Sequence, residues 1–295
     1  MKRVVTALFL VPIAVYSALF APWWILFTVI AIVALLSFRE YAAITESFAP
    51  LGYVAGILIL AAPQHETILL MILSTLAALC LILSANDPAK GFARSAALVL
   101  GIIYIFGSWK TGILLHDINP NWLMFGLMVN WIGDTGAFYV GRSFGKHKLA
   151  PAVSPGKSWE GAAASLVTGV AFGLIYIPLT IKGTSLLVAG LVALAANVAG
   201  QVGDLAESAI KRGAGVKDSG NLLPGHGGLL DRVDSTMFAL PVLYSLLTFL
   251  KKCRVGNLAC GPAFQRVPVN FLICLFRTAR RCRTIPRTAS YRRAA

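Results

Sequence analysis

Charged and hydroxyl side chains recur at helical spacing inside an otherwise apolar sequence. Four of them fall at positions i, i+3, i+4 and i+7, on one face of a helix: Asp204, Glu207, Ser208 and Lys211. Polar residues within apolar segments are costly and are usually functional. This face is therefore either the solvated end of a helix or a site for charged ligands, and the residues that follow favour the site.

A glycine-rich loop follows this face. Lys217 and Asp218 lead into the segment 224–228, Pro-Gly-His-Gly-Gly, and a new apolar run begins with Asp231, Arg232 and Asp234. Glycines let a backbone approach a ligand closely, and a helix beginning near Leu229 would direct free N–H groups at a phosphate. Two carboxylates one turn apart suit Mg²⁺ held against phosphate oxygens. The loop therefore predicts a phosphate and metal site.

Two further segments carry candidate residues. The stretch 141–161 is basic and rich in glycine, and Lys157 and Ser158 in it are candidate phosphate contacts; lipid-facing cations are the alternative. Its Gly-Lys-Ser triplet is not a P-loop, because Pro151 stands where the first glycine is required. Asp134 lies in the apolar stretch 121–140, where it either pairs with a loop cation or supports the site.

Composition predicts the elements that position these residues. Of 295 residues, 57% are hydrophobic and 13% are charged, with a mean hydropathy of +0.76, whereas soluble domains carry about 25% charged residues. We therefore expect an all-α polytopic integral membrane protein with eight to nine transmembrane helices. The apolar stretches are 4–20, 23–38, 49–62, 66–84, 95–115, 121–140, 162–181, 184–203 and 236–250, of which the third is short enough to be re-entrant or interfacial.

The distribution of charge predicts the orientation. Every second connection between apolar stretches is basic, which fits nine spans with a cytoplasmic N-terminus and an uncleaved first span. The polar loops 141–161 and 204–235 then both face the cytoplasm and form the site. All twelve acidic residues lie at or before Asp234, so the net charge of +14 comes largely from the terminal segment 251–295. A basic tail on a membrane-like body argues against nucleic-acid binding.

Together these residues resemble the phosphatidate cytidylyltransferase (CDP-diacylglycerol synthase) family. The family signature is Ser-x-x-Lys-Arg, four residues, Lys-Asp, and later His-Gly-Gly-x-x-Asp-Arg-x-Asp. Residues 208–234 match it in type and spacing, with Arg212 and His226 among the matched positions. Supporting matches lie at 133–137 and 154–158. The resemblance implies transfer of a cytidylyl group from CTP to phosphatidic acid, giving CDP-diacylglycerol and pyrophosphate for phospholipid biosynthesis.

We assign roles to individual residues from their chemistry and position together with this resemblance. Metal ligands would be Asp204 and Asp231, with Asp218 and Asp234 as outer or additional ligands. The catalytic set would comprise Asp204, Asp231, Lys217, Asp218 and His226. Substrate-binding residues would be Lys157, Ser158, Ser208, Lys211, Arg212, Gly227, Gly228, Arg232 and Asp134. The implied cofactor is Mg²⁺, with a second, monovalent cation as an open alternative.

The expected organisation has three parts. Residues 1–120 form N-terminal transmembrane helices, 121–250 form the catalytic transmembrane region, and 251–295 form a basic tail, rich in Cys and Arg, that is non-native or dispensable. Expected partners are CTP, phosphatidic acid and membrane lipids, with a homodimer as one possible assembly. The expected location is a bacterial inner membrane, with the active site facing the cytoplasm.

Other functions remain open from the sequence. A polyprenol or phytol kinase, or a cytidylyltransferase for an ether lipid, would also use CTP. A transporter could use Asp134 and Asp204 as a cation relay, although the sequence shows no inverted repeat.

Overall fold

The structure, a computed structural model, describes residues 2–222 and 227–258. Helices dominate the described chain: α1 (Lys2–Leu19), α2 (Trp23–Thr45), α3 (Ala49–Ala61), α4 (Gln64–Cys80), α5 (Pro88–Gly101), α6 (Ser108–Ile118), α7 (Pro120–Phe144), α8 (Trp159–Thr180), α9 (Leu186–Gly213) and α10 (Leu230–Leu258). A 3₁₀ turn (Leu81–Ser84) extends α4, and a π-helical segment (Ile102–Gly107) joins α5 to α6. Residues 1–246 form one compact unit, and a second unit begins at Leu247.

The predicted helical membrane protein is confirmed at the level of its helices. Each apolar stretch of the sequence lies, to within about two residues at its ends, inside one helical segment of the described chain. Six of the described helical segments are long and apolar enough to cross a membrane: Trp23–Thr45, Gln64–Ser84, Pro88–Ile118, Trp159–Thr180, Leu186–Gly213 and Leu230–Lys251. α3 has 13 residues, fewer than the roughly 20 that a span needs. The count of nine spans stays a prediction.

A buried lysine donates hydrogen bonds to the carbonyls at the end of the short helix α3. Lys110, in α6, has only 6% of its surface exposed. Its Nζ donates to the carbonyls of Leu60 at 2.9 Å and Ala62 at 2.5 Å, at the end of α3. The last carbonyls of a helix lack partners within the helix and carry negative partial charge. The carbonyls at the end of α3 therefore supply the hydrogen-bond acceptors of the buried Lys110 ammonium. The sequence alone did not indicate this pairing.

Helices α7, α8 and α9 pack closely through small residues. A Cβ atom added at Gly136 of α7 would lie 2.5 Å from Oγ1 of Thr168, and one added at Gly169 of α8 would lie 2.7 Å from Nδ2 of Asn197. Small residues permit such close approach of helix backbones. Caps define where these helices begin, because Asn119, Ser158 and Ser185 each accept a backbone N–H from the first turn.

The loop between α7 and α8 departs from the all-α prediction. It contains a short antiparallel hairpin of β1 (Lys148–Ala150) and β2 (Ser154–Ser158). Val153 N donates to the Ala150 carbonyl at 3.2 Å, so Pro151 occupies the second position of the turn, which its fixed φ favours. This hairpin gives the loop that carries Lys157 a defined backbone.

Candidate functional site

The first of two neighbouring cavities joins an apolar wall to a charged end. Its volume is about 500 Å³, and its apolar wall includes Leu10 and Ile13 of α1 and Leu26 and Ile30 of α2. The charged end brings together seven residues that the sequence singled out: Asp134, Asp204, Lys211, Asp218, Asp231, Arg232 and Asp234. We call this space the amphipathic cavity. A cavity that combines acidic and basic groups with an apolar wall suits a ligand with a charged head and a hydrocarbon tail.

The second cavity is lined by glycines and polar side chains. Its volume is about 490 Å³, and its walls come from α7, the hairpin, α8 and α9. The residues that give it its character are Gly141, Gly156, Gly161, Arg142, Lys157, Ser158 and Gln201. We call it the glycine-lined cavity. Asp134 and Asp204 line both cavities, so the two spaces meet at these carboxylates.

Asp231 ties the start of α10 to the loop before it. Its carboxylate accepts the backbone N–H of Ser219, 3.2 Å from each oxygen, and that of Gly228 at 3.0 Å. Lys211 Nζ lies 2.6 Å from the same carboxylate. The first predicted role of Asp231, binding metal, stays a prediction, and the structure adds a second role, which is to hold the loop.

Glu40 of α2 is a site residue that the sequence reasoning missed. Its carboxylate accepts the N–H groups of Leu229 at 3.1 Å and Leu230 at 2.8 Å, and the hydroxyl of Ser219 at 3.1 Å. Glu40 is 8% exposed. A carboxylate at a helix N-terminus satisfies free N–H groups and faces the positive end of the helix dipole. In the sequence Glu40 stands out only as an acid that follows Arg39 at the end of the apolar stretch 23–38.

Two glycines of the signature allow the loop before α10 to approach Glu40 closely. Gly227 has φ +79°, in the left-handed region that favours glycine. A Cβ atom on Gly228 would collide with the Ser219 hydroxyl and would lie 2.7 Å from Oε2 of Glu40. Both glycines were predicted to bind substrate, and that role stays a prediction. In the structure they allow the loop to pack against Glu40 and Asp231.

Lys211 bridges α9 and α10 through two carboxylates. Its Nζ is 2.6 Å from Oε2 of Glu207 and 2.6 Å from Oδ1 of Asp231. The side chains of Lys211 and Glu207 are 12% and 1% exposed. The lysine charge is therefore already balanced within the protein, although the residue also lines the amphipathic cavity.

Lys157 and Asp204 form an ion pair between the hairpin and α9. The Lys157 ammonium lies 2.5 Å from the Asp204 carboxylate, and the two side chains are 27% and 30% exposed. The neighbouring Ser158 hydroxyl accepts the Gly161 N–H at 3.2 Å as the cap of α8. Both predicted phosphate contacts thus border the glycine-lined cavity, and Ser158 also has a structural role.

The remaining predicted residues are Ser208, Arg212, Lys217 and His226. Lys217 is exposed and Ser208 is half-buried, and neither lines either cavity. Arg212 donates to the carbonyls of Val153 at 3.4 Å and Val216 at 3.2 Å, so it joins the two polar loops. His226 lies outside the described residues.

The acidic residues suit a divalent metal that a phosphate helps to bind. Among the described residues, no three Asp, Glu, His or Cys side chains form a cluster that would hold a metal ion unaided. Mg²⁺ commonly uses one or two carboxylates and completes its coordination with water and substrate phosphates. Asp204 and Asp231 border the same cavity, as do Asp218 and Asp234, and hard carboxylate oxygens of this kind fit Mg²⁺.

Comparison with known proteins identifies the family of this chain. The sequence profile of the cytidylyltransferase family matches residues 1–250. A phosphatidate cytidylyltransferase of Pseudomonas aeruginosa is 37% identical over 262 residues, covering 83% of this chain and 96% of the relative. Relatives of the same name from Staphylococcus saprophyticus and Bacillus subtilis are 38% and 40% identical.

The last two alignments are shorter. They cover 56% and 53% of this chain, and the chain spans only 60% and 58% of those two relatives. The family profile nevertheless covers the whole region that holds both cavities and the signature. The chain therefore belongs to the cytidylyltransferase family.

Proposed function

We propose that the chain transfers a cytidylyl group from CTP to phosphatidic acid, producing CDP-diacylglycerol and pyrophosphate. The observation that carries this proposal is the meeting of two chemically different cavities at Asp134 and Asp204. One has an apolar wall suited to acyl chains, and the other is lined by glycines and cations. A reaction between a lipid and a water-soluble nucleotide requires such a junction.

The residues of this junction suit phosphoryl chemistry. A lipid phosphate oxygen attacks the α-phosphorus of CTP, a new P–O bond forms, and the bond to the departing pyrophosphate breaks. The nucleophile is already anionic, so no strong general base is required. The obstacle is repulsion between two polyanions, which positioned cations reduce. Lys157, Lys211 and Arg232 line the two cavities and would contact the phosphates.

Mg²⁺ is the proposed cofactor. Asp204 and Asp231 would hold it, with Asp218 and Asp234 as additional ligands, because all four border the charged end of the amphipathic cavity. When bound, the ion would neutralise phosphate charge. Lys157 pairs with Asp204 and would remain beside it as a second source of positive charge.

We further propose nine spans, with both polar loops facing the cytoplasm of a bacterial inner membrane. Two contacts support placing the loops on the same side: Arg212 with the Val153 carbonyl, and Lys157 with Asp204. The basic connections of the sequence support the cytoplasmic side, and nucleotides are available there. The bacterial relatives support the choice of membrane.

The decisive experiment uses CTP labelled at one phosphate. Purified protein in detergent receives phosphatidic acid, Mg²⁺ and CTP carrying ³²P at either the α or the γ position. Cytidylyl transfer moves the α label into the lipid fraction and releases the γ label as pyrophosphate. A lipid kinase would move the γ label into lipid, and a transporter would label no lipid. Omitting phosphatidic acid, or replacing it with a polyprenol or an ether-lipid phosphate, identifies the acceptor.

A further inference from the structure

The glycine-lined cavity carries a hydrogen-bonding group for which the proposed chemistry has no use. Gln201 of α9 lines it, one helical turn before Asp204, and Ser165 of α8 lies beside it. Residues three apart on a helix face the same side. A nucleotide whose phosphates lie near Asp204 and Lys157 would therefore extend its ribose and then its base along the wall that holds Gln201. The volume of about 490 Å³ is typical of small-molecule sites.

The protein fixes the orientation of the Gln201 amide. Its Nε2 donates to the Ala162 carbonyl at 3.3 Å and to Oδ1 of Asn197 at 2.8 Å. A backbone carbonyl can only accept, so the nitrogen must face Ala162. The amide has two N–H donors and one carbonyl oxygen. Both donors are occupied by protein, and Oε1 is the atom left for a ligand in the cavity.

Asn197 is itself held in one orientation. It is 1% exposed, and its Nδ2 donates to the Val129 carbonyl at 3.5 Å and lies 3.2 Å from the Ser165 hydroxyl. A backbone acceptor thus orients Asn197, and Asn197 orients Gln201. A buried chain of satisfied hydrogen bonds holds its last member rigidly.

We infer that Gln201 Oε1 accepts a hydrogen bond from the exocyclic amino group of the cytosine base. The inference deepens the proposed function, on which it rests. Cytosine presents a donor at C4, whereas uracil presents a carbonyl there. An acceptor fixed by the protein favours the first and repels the second. Sites that hydrogen-bond one group of a substrate discriminate strongly against an analogue that lacks it. Gln201 is thereby assigned as a residue that selects the base.

The test compares CTP with UTP in the wild type and in Gln201→Met. The assay measures kcat/KM for each nucleotide at saturating phosphatidic acid. We expect the variant to lose at least about tenfold in kcat/KM for CTP, mainly through KM, with UTP use unchanged or increased. Thr180→Val is the control, because its hydroxyl donates within α8 to the Tyr176 carbonyl at 2.8 Å and the residue lines neither cavity. It should leave the preference for CTP unchanged.

Other outcomes would overturn the inference. An equal loss for both nucleotides would mean that Gln201 only supports the fold, and an unchanged ratio would mean that it does not read the base. Gln201→Leu repeats the measurement should the Met variant fail to fold, which size-exclusion chromatography reveals.

Equilibrium binding of labelled CTP, displaced by UTP, separates this inference from the proposed reaction. Wild-type protein that turns over no lipid but binds CTP at least about tenfold more tightly than UTP would contradict the reaction and keep the base assignment. Equal affinity for the two nucleotides would overturn the base assignment whatever the turnover.

Discussion

Oε2 of Glu40 lies 2.8 Å from the backbone nitrogen of Leu230, so a carboxylate of α2 caps a helix that begins 190 positions later in the chain. The same side chain accepts the Leu229 N–H and the Ser219 hydroxyl. Asp231 lies in the first turn of this helix and lines the amphipathic cavity. Glu40 therefore positions the charged end of the cavity, although it does not line the cavity itself.

Glu40→Gln should reduce activity by at least about tenfold and lower the thermal stability of the protein. Hydrogen bonds to a charged group contribute about 1.5–3 kcal/mol each, and the neutral amide turns two N–H donors toward a site that needs acceptors. Activity and thermal unfolding of the purified variant measure both effects. Glu46→Gln is the control, since the Glu46 side chain forms an exposed pair with Arg94, and such pairs contribute little. Equal effects of the two variants would contradict the role of Glu40.

Gly228→Ala should abolish most activity and lower the unfolding temperature. The added methyl group would lie 2.7 Å from Oε2 of Glu40 and 2.9 Å from the Gly220 nitrogen, so the loop would have to move. Gly213→Ala, at the end of α9, is the matched control, because a Cβ atom there meets nothing within 4 Å. Alanine is also the better helix former. A Gly228→Ala protein with normal activity would show that the loop is not tightly packed.

Asp204→Asn should lower turnover by at least about a hundredfold and raise the Mg²⁺ concentration needed for half-maximal rate. Lys157→Met removes the partner of Asp204 and should lower turnover without raising that concentration. Initial rates measured over a range of Mg²⁺ separate a metal ligand from a simple ion pair. The metal assignment fails if both variants shift the Mg²⁺ dependence equally, or if Asp204→Asn is nearly normal.

Lys211→Met should destabilise the protein by about 3–5 kcal/mol, because it leaves the buried carboxylates of Glu207 and Asp231 without their cation. Denaturant unfolding of the purified variant measures the change. Lys182→Met, at an exposed position between α8 and α9, should change stability by no more than about 0.5 kcal/mol. A stable Lys211→Met protein that lacks only activity would point to a purely catalytic lysine.

Truncation after Lys252 should preserve activity in membranes. The family profile ends at residue 250, and the signature ends at Asp234. The experiment compares lipid product per amount of membrane-inserted protein for the full chain and the truncated chain. Loss of activity at equal protein level would assign a role to the segment that follows.

Much of the site follows from local spacing in the sequence. The helical stripe from Asp204 to Lys211 depends on a repeat of 3.6 residues, and the glycine-rich loop before Asp231 depends on which residue types tolerate its backbone. The apolar stretches likewise predicted where helices lie, because the backbone of a buried or membrane segment must satisfy its own hydrogen bonds. Interactions between near neighbours in sequence can be inferred from type and spacing alone.

Only the tertiary structure decided which distant groups meet. Glu40 and Leu230, Lys157 and Asp204, and Lys110 and the end of α3 are pairs whose members lie on different helices or loops. Many apolar helices can pack in many ways, and the sequence pattern that makes a helix apolar does not record its neighbour. The buried polar groups select one packing, because each must find a partner once water is excluded. For that reason Asp231 was identified from its motif, whereas Glu40 and Gln201 were identified only from their contacts.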